Sequence, residues 1–328
     1  MDIDLLLADG NGEPVLAKGL PYGVAAVSAR AEEPEPEQFG LLDYRQDDKD
    51  PNDLVRQRWG VIVPAGTDGK RLAEAIAPLR AARKEEQNGK EPIVFEAPAG
   101  MSAEEAGIWW GTVYNSKDIE AVDRPRYLLI LGDADQISWE SQQRWASSAF
   151  VGRLAFANDA GYESYVHKIL ACERAARAGF KKPRAAFHTV KDGTAATSTG
   201  HRGLMSPTID AAQVGLKKND FPASAIVDLN EEGVASLDDF MRAVALHDPT
   251  LLFSISHGLG STAETPKDEQ RRMQGAMSFG RGVKLTAEDV ANKPFLPGGA
   301  WFFFACFSAG TPSYSAYQHW LASLKTRG

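Results

Sequence analysis

Cysteine is nearly missing from this chain. Two occur in 328 residues, Cys172 and Cys306, too few for a disulfide framework or for a zinc site built on cysteine pairs. This usage fits a reducing, cytoplasmic compartment. Positive charge is also short: 36 Lys+Arg stand against 44 Asp+Glu, a formal charge of -8. That balance gives no electrostatic footprint for nucleic acid or an anionic membrane surface. Long apolar runs are absent. The most apolar stretch, residues 300–307, is far shorter than the roughly 20 residues a spanning helix needs. The start, Met-Asp-Ile-Asp, carries acid where a secretory signal carries base. No repeat and no sustained heptad pattern is visible, which removes solenoids and coiled coils. The six histidines, His167, His188, His201, His247, His257 and His319, show no His-x-x-x-His spacing, so a metal hydrolase is disfavoured and no cofactor is expected. A calcium ion held by loop carboxylates stays open.

What is present is ample core material, 43% hydrophobic, in a length that suits two domains or one large α/β unit. Acidic, turn-forming stretches at residues 31–38 and 46–53 read as solvated loops. Residues 60–64 give a short buried-strand pattern. Residues 67–84 follow with Leu72, Ile76 and Leu79 at helical spacing. The run Tyr127-Leu-Leu-Ile-Leu131, closed by Gly132-Asp133, predicts a central strand, and residues 151–156 a further one. Tyr162, Tyr165, Val166, Ile169 and Leu170 predict a helix over residues 159–177, closed by Gly179 and Pro183.

The last 150 or so residues alternate. Strands are predicted at 184–190, 223–229, 250–256 and 301–306, with helices from about Thr208 and over 236–247. Ser236 and Asp239 form a capping-box-like start to the second of these helices. Such alternation predicts a doubly wound, mostly parallel α/β sheet, whose ligand crevice lies beyond the carboxyl ends of the strands.

Two chemically active residues fall at such ends: His257, after Leu251-Leu-Phe-Ser-Ile-Ser256, and Cys306, after Trp301-Phe-Phe-Phe-Ala305. If the strands are neighbours, imidazole and thiol meet, the arrangement of nucleophilic catalysis by a thiolate. Gly258 lets the backbone approach a substrate carbonyl, and the N–H groups of Gly258 and Cys306 are candidate oxyanion donors. Taken singly, a strand-end histidine is more often structural and a cysteine in an aromatic run more often core. Their pairing is what carries the reading. Cys172, on the helix at 159–177, is read as structural. Neither Ser256 nor Ser308 sits in a Gly-x-Ser-x-Gly elbow.

These motifs resemble the caspase-like cysteine peptidases of the caspase, gingipain and CHAT type. The similarity lies in Ser254-Ile-Ser-His257-Gly258, in Ala305-Cys306-Phe-Ser-Ala-Gly310, and between them in Val283-Lys-Leu-Thr-Ala-Glu-Asp-Val290. Upstream, Tyr127-Leu-Leu-Ile-Leu-Gly-Asp133, Val151-Gly-Arg153 and Tyr165-Val-His-Lys-Ile-Leu-Ala-Cys-Glu173 are similar to a gingipain-like pattern. The resemblance covers roughly residues 126–312. It implies a caspase-like catalytic subdomain over residues 181–328 and a gingipain-like α/β subdomain over residues 1–180. It also implies a cysteine endopeptidase in which Cys306 attacks the scissile carbonyl of a protein substrate, His257 protonates the leaving amine, and Gly258 and Cys306 form the oxyanion hole.

Two departures narrow that expectation. The Gln-Ala-Cys-x-Gly of true caspases is absent, and with it the case for cleavage after aspartate. The absence of a signal favours the CHAT-like branch, in a bacterial regulatory or defence setting. In this group the loop after the first catalytic strand lines a specificity pocket. Asp192, the one acid in residues 191–202, therefore either floors a pocket for a basic substrate residue or belongs to a solvated Asp-Gly turn. Only 22 residues follow Cys306, and residues 317–324 read as a helix. The expectation is that a second chain or a C-terminal fragment completes the sheet, and that an activator or inhibitor protein restrains an open cleft. The rival from another class is a catalytically silent caspase-like binding or signalling module. A nucleotide-binding α/β domain is a weaker rival, because both phosphate-loop motifs are missing.

Overall fold

In the computed structural model the described residues are 2–3, 20–21, 23, 50–179, 182–260, 265–291, 293 and 295–308. The loop expected at 31–38, residues 46–49 of that at 46–53 and the helix expected at 317–324 lie outside them. The chain divides into two compact units, one holding residues 40–180 and the other residues 181–311. A two-stranded ribbon, β1 (Asp2–Ile3) with β2 (Leu20–Pro21), groups with the second unit. Both units are α/β, with parallel sheets flanked by helices. Among the described residues no helix is long and apolar enough to cross a membrane.

In the unit at 40–180 the strands are β3 (Trp59–Pro64), β4 (Val94–Ala97), β5 (Tyr127–Leu131) and β6 (Phe150–Leu154), all parallel, in the order β4-β3-β5-β6. Five of the six residues of β3 are buried, as expected of a strand covered on both faces. One face packs Val61, Val63 and Leu131 against Leu72, Ile76, Leu79, Tyr162 and Val166. Leu72 lies on α1 (Thr67–Ala75), Leu79 on α2 (Ala77–Glu86), Ile76 at the junction between them, and Tyr162 and Val166 on α5 (Asp159–Ala178). The other face packs Ile62, Phe95, Leu128 and Ile130 against Trp109, Trp110 and Trp145. These belong to α3 (Ala103–Trp109), the π-helical turn Trp110–Tyr114 that continues it, and α4 (Trp139–Ala146).

The single helix expected over 67–84 is two helices. It breaks at Ile76, where Pro78 begins the next helix and could not have continued the previous one, having no N–H to give. Strand β4 and helices α3 and α4 are further elements beyond the sequence reading. Helix α3 nonetheless carries a full capping box between Ser102 and Glu105, a start signal written in the sequence.

In the second unit the strands are β7 (Arg184–Thr189), β8 (Ala225–Asp228), β9 (Leu251–Ile255) and β13 (Ala300–Phe304), again parallel, in the order β13-β9-β7-β8. A small antiparallel sheet sits beyond β9: β10 (His257–Gly258), β11 (Met277–Ser278) and β12 (Lys284–Leu285). The segment 191–202, expected as one loop, is a loop only to Thr194. Helix α6 (Ala195–Gly200), a π-helical turn (His201–Met205) and α7 (Ser206–Lys218) then run on without a gap. Ala185, Phe187 and Ile255 pack against Met205, Ile209 and Ala212 on that side. On the other side, Ala186, Val227 and Leu252 pack against Phe240, Ala243 and Val244 of α8 (Leu237–His247). The Ser236–Asp239 capping box opens α8 as the sequence indicates, and Asp248 closes it in the left-handed region just before Pro249.

Candidate functional site: a histidine, a cysteine and a buried aspartate at one crevice

Within the second sheet the strands follow the order second, first, third, fourth, so the direction of winding reverses between β7 and β9. Beyond the carboxyl ends of two such strands the loops part, and a crevice opens. The loop after β7 carries Asp192 and Thr194, the chain after β9 carries His257, and the chain after β13 carries Cys306.

The parallel register aligns Ile255 of β9 with Phe304 of β13. Continued two positions past the strand ends, that register would pair His257 with Cys306. Ser256 N–H donates to the Phe304 carbonyl at 3.3 Å, carrying the pairing past the strand ends. The contact is so close that a Cβ on Gly258 would fall 1.4 Å from the Cys306 carbonyl oxygen. Only glycine fits there, and the expected nearness of the two strand ends is present in the backbone itself.

Cys306 lies in a tight turn. Ser308 N–H reaches the Ala305 carbonyl at 3.4 Å, and the Ser308 hydroxyl donates to the carbonyls of Ala305 (2.8 Å) and Phe303 (3.2 Å). Phe307 follows the cysteine at φ 58°, a conformation that costs a bulky residue on the order of 1 kcal/mol or more. The Cys306 side chain is exposed. Cys172 is exposed too, on α5, so it is a surface residue of a helix rather than part of a core.

His257 pairs in β10 with Ser278 of β11, and its imidazole is 39% exposed. Its Nε2 lies 2.8 Å from the Thr194 hydroxyl and 3.6 Å from Asp192 Oδ2. Asp192 itself is enclosed, its side chain only 5% exposed. Oδ1 accepts from the Thr194 N–H (3.0 Å), the Thr194 hydroxyl (2.8 Å) and the Thr197 hydroxyl (2.8 Å). From above, Gly280, in the turn between β11 and β12, approaches so closely that a Cβ there would lie 2.9 Å from the Asp192 Cβ. Burial pushes the Asp192 carboxyl up, but the donors of Thr194 and Thr197, helped by the nearby His257, outweigh it and hold the group below its ordinary value.

The strand end that launches this loop is fixed by Asn230. Its side-chain carbonyl accepts from Thr189 N–H and its amide donates to the Thr189 carbonyl, both at 2.7 Å, so the amide extends the β-ladder by one pair.

The structure therefore gathers all four expected residues, His257, Gly258, Cys306 and Asp192, in one place. The role expected of Asp192 needs revision: its carboxylate is turned to Thr194, Thr197 and His257, not out to a substrate. Thr194 and Thr197 were missed. The signal for Thr194 was present, since an Asp-Gly-Thr run favours an Asx turn in which the aspartate accepts from the N–H two residues on. Thr197 comes near only because the chain turns helical at Ala195.

A concavity of about 990 Å³ among the described residues lies in the other unit, at the amino ends of β3, β5 and β6, lined by Trp59, Tyr127 and Phe150 among others. That is the end of a parallel sheet opposite to the one that ligands favour. No family model, no curated protein and no solved structure matches this chain.

Proposed function

We propose that this chain is a caspase-like cysteine endopeptidase, with Cys306 as nucleophile and His257 as general base and then general acid. The observation that carries the reading is the backbone contact between Gly258 and Cys306 at two neighbouring parallel strand ends, which brings the chain that carries His257 against the chain that carries the exposed Cys306. The Cys306 proton passes to His257, and Sγ attacks the peptide carbonyl carbon. The resulting oxyanion is received by the N–H groups of Gly258 and Cys306. As it collapses, the C–N bond breaks, His257 returns the proton to the leaving amine, and a thioester remains. Water, deprotonated by His257, then releases the acid and restores the thiol.

A preference for a basic substrate residue rested on Asp192 alone. The geometry engages that carboxylate elsewhere, so the proposal leaves the residue before the cut unspecified. The reading of this unit as incomplete has one support. β13 is the outer strand of its sheet among the described residues, and it exposes Phe302 (59%) and Phe304 (51%), an apolar surface that a completing element would cover.

The test is alkylation of Cys306 by iodoacetamide near neutral pH, read by mass spectrometry, beside turnover of an unfolded protein substrate. Faster labelling at Cys306 than at Cys172, lost in His257→Ala, with cleavage lost in Cys306→Ala, is the expected result. Equal labelling of the two cysteines, untouched by His257→Ala, would sink the reading and leave the silent binding module.

A further inference from the structure

We infer that Asp192, acting through Thr194, fixes the proton of the neutral His257 ring on Nε2 and leaves Nδ1 as the basic nitrogen. The inference rests on the proposal that His257 and Cys306 form a dyad, and it adds positioning residues that a two-residue dyad does not contain.

The argument is a count of protons. An ionised carboxylate only accepts, so each hydrogen bond reaching Asp192 Oδ1 must be donated to it. The Thr194 hydroxyl has a single proton, and at 2.8 Å from Oδ1 that proton is committed to the carboxylate. The Thr197 hydroxyl, 2.8 Å from Oδ1 and 3.0 Å from the Thr194 hydroxyl, turns its own proton toward the carboxylate and the Thr194 oxygen, which leaves the Thr194 proton on Oδ1. The Thr194 oxygen then has only lone pairs to offer His257 Nε2, 2.8 Å away, so Nε2 must be the N–H of the pair. Asp192 Oδ2, 3.6 Å from the same nitrogen, places a fixed negative charge where it stabilises the imidazolium formed when the thiol is deprotonated. No bond to carbon changes in this step: one proton moves from Sγ to Nδ1, and the charge that appears on the ring is met by a carboxylate already held in place.

The enclosure of Asp192 is what makes the device work. An exposed aspartate would trade these partners for water, and its charge would be screened. Here the Gly280 turn and the buried Thr197 cover the carboxylate, leaving the Asp192 side chain 5% exposed. The small antiparallel sheet that supplies Gly280 also supplies His257, so the same element positions the imidazole and covers its partner.

The experiment is 15N NMR on the full chain labelled at histidine, with the His257 signals assigned by their loss in His257→Gln. In the wild type the neutral ring should show the shift pattern of the Nε2–H form. In Asp192→Asn and in Thr194→Val it should become a mixture of both forms, and Thr194→Ser should restore the wild-type pattern. Cys306 alkylation, read in parallel, should slow by about tenfold or more in the first two variants and recover in the third. Thr194→Val keeps the volume of the side chain and guards against a misfolded Asp192 variant. An Nδ1–H ring in the wild type, or a pattern unmoved by both Asp192→Asn and Thr194→Val, would overturn the inference. Failure of the dyad is a separate result: Cys306 alkylation indifferent to His257→Gln, whatever the tautomer.

Discussion

The two units carry the same sheet and end it differently. In each, four parallel strands lie in the order second, first, third, fourth, and in each the winding reverses between the first strand and the third. Beyond β5 the chain turns at Gly132 (φ 110°) into Asp133, and from β6 the Arg153 side chain crosses the opening. Its guanidinium donates to the carbonyls of Gly132 and Ile137, both at 2.8 Å, and to the Gln142 side chain at 2.7 Å. Burial pulls the Arg153 guanidinium down from its ordinary value, partly offset by Asp133. At the matching end of the second sheet stand His257 and Cys306 over a buried Asp192. One scaffold, then, has a crevice closed by an arginine that satisfies backbone carbonyls, and another that holds a thiol open to solvent. Topology supplies the opening, and a few residues at the strand ends decide whether it is filled or left open to solvent.

The comparison can be broken most sharply at the end that carries Cys306. Cys306→Ala or His257→Ala should lower turnover of an unfolded protein substrate by about 10²–10⁴-fold or more, while Arg153→Ala should leave the Cys306 alkylation rate where it was. If all three behaved alike, the two crevices would not differ in kind.

A larger structural effect is expected in the closed unit. Trp145 is fully buried between sheet and helices, packs on Trp109 at a 40° tilt with ring centroids 4.6 Å apart, and donates from Nε1 to the Ala106 carbonyl at 3.1 Å. Trp145→Ala should cost about 3–5 kcal/mol of that unit's stability in urea titration.

Acid should separate the units. His188, 1% exposed and packed on Phe240 and Phe279, is pushed down to about 4 by burial first and by Lys191 second. Its folded value lies below the ordinary 6.5 of the unfolded chain. The neutral ring's contribution is therefore complete above about pH 6.5 and is lost as pH falls toward about 4, a loss of about 3 kcal/mol. Thermal melting of the second unit should fall over that range, and His188→Phe should flatten the fall. Asp192, held below its ordinary value, adds a term of the same sign at lower pH, kept above its unfolded value and lost as pH drops through the folded one. The smallest effect is that of Arg153→Ala on its own unit, about 1–3 kcal/mol for the carbonyls left without a donor.

Much of the scaffold was legible because its signals are local. The continuous apolar runs of β5 and β9 read as covered strands, the stripe from Tyr162 to Leu170 as a helix, and the Ser236–Asp239 box as a helix start. The reading failed where a local signal was weak or spread out. Four-residue β4 is too short to show a period, and the two-residue strands of the small sheet are defined only by their partners. The run 67–84 kept a helical stripe across a proline that divides it.

The candidate site divides in the same way. That a histidine and a cysteine follow two parallel strands is a property of the sequence, because each strand is announced by its own apolar run and ends where that run ends. The alignment of those strands, the glycine that lets their ends touch, and the burial of Asp192 under the Gly280 turn depend on contacts between residues about 50 to 90 positions apart. Local propensity carries no information over such distances. The sequence could therefore name Asp192 but not its direction: whether a loop carboxylate faces water or an imidazole is decided by what packs over it, and only the tertiary structure brings that cover into place.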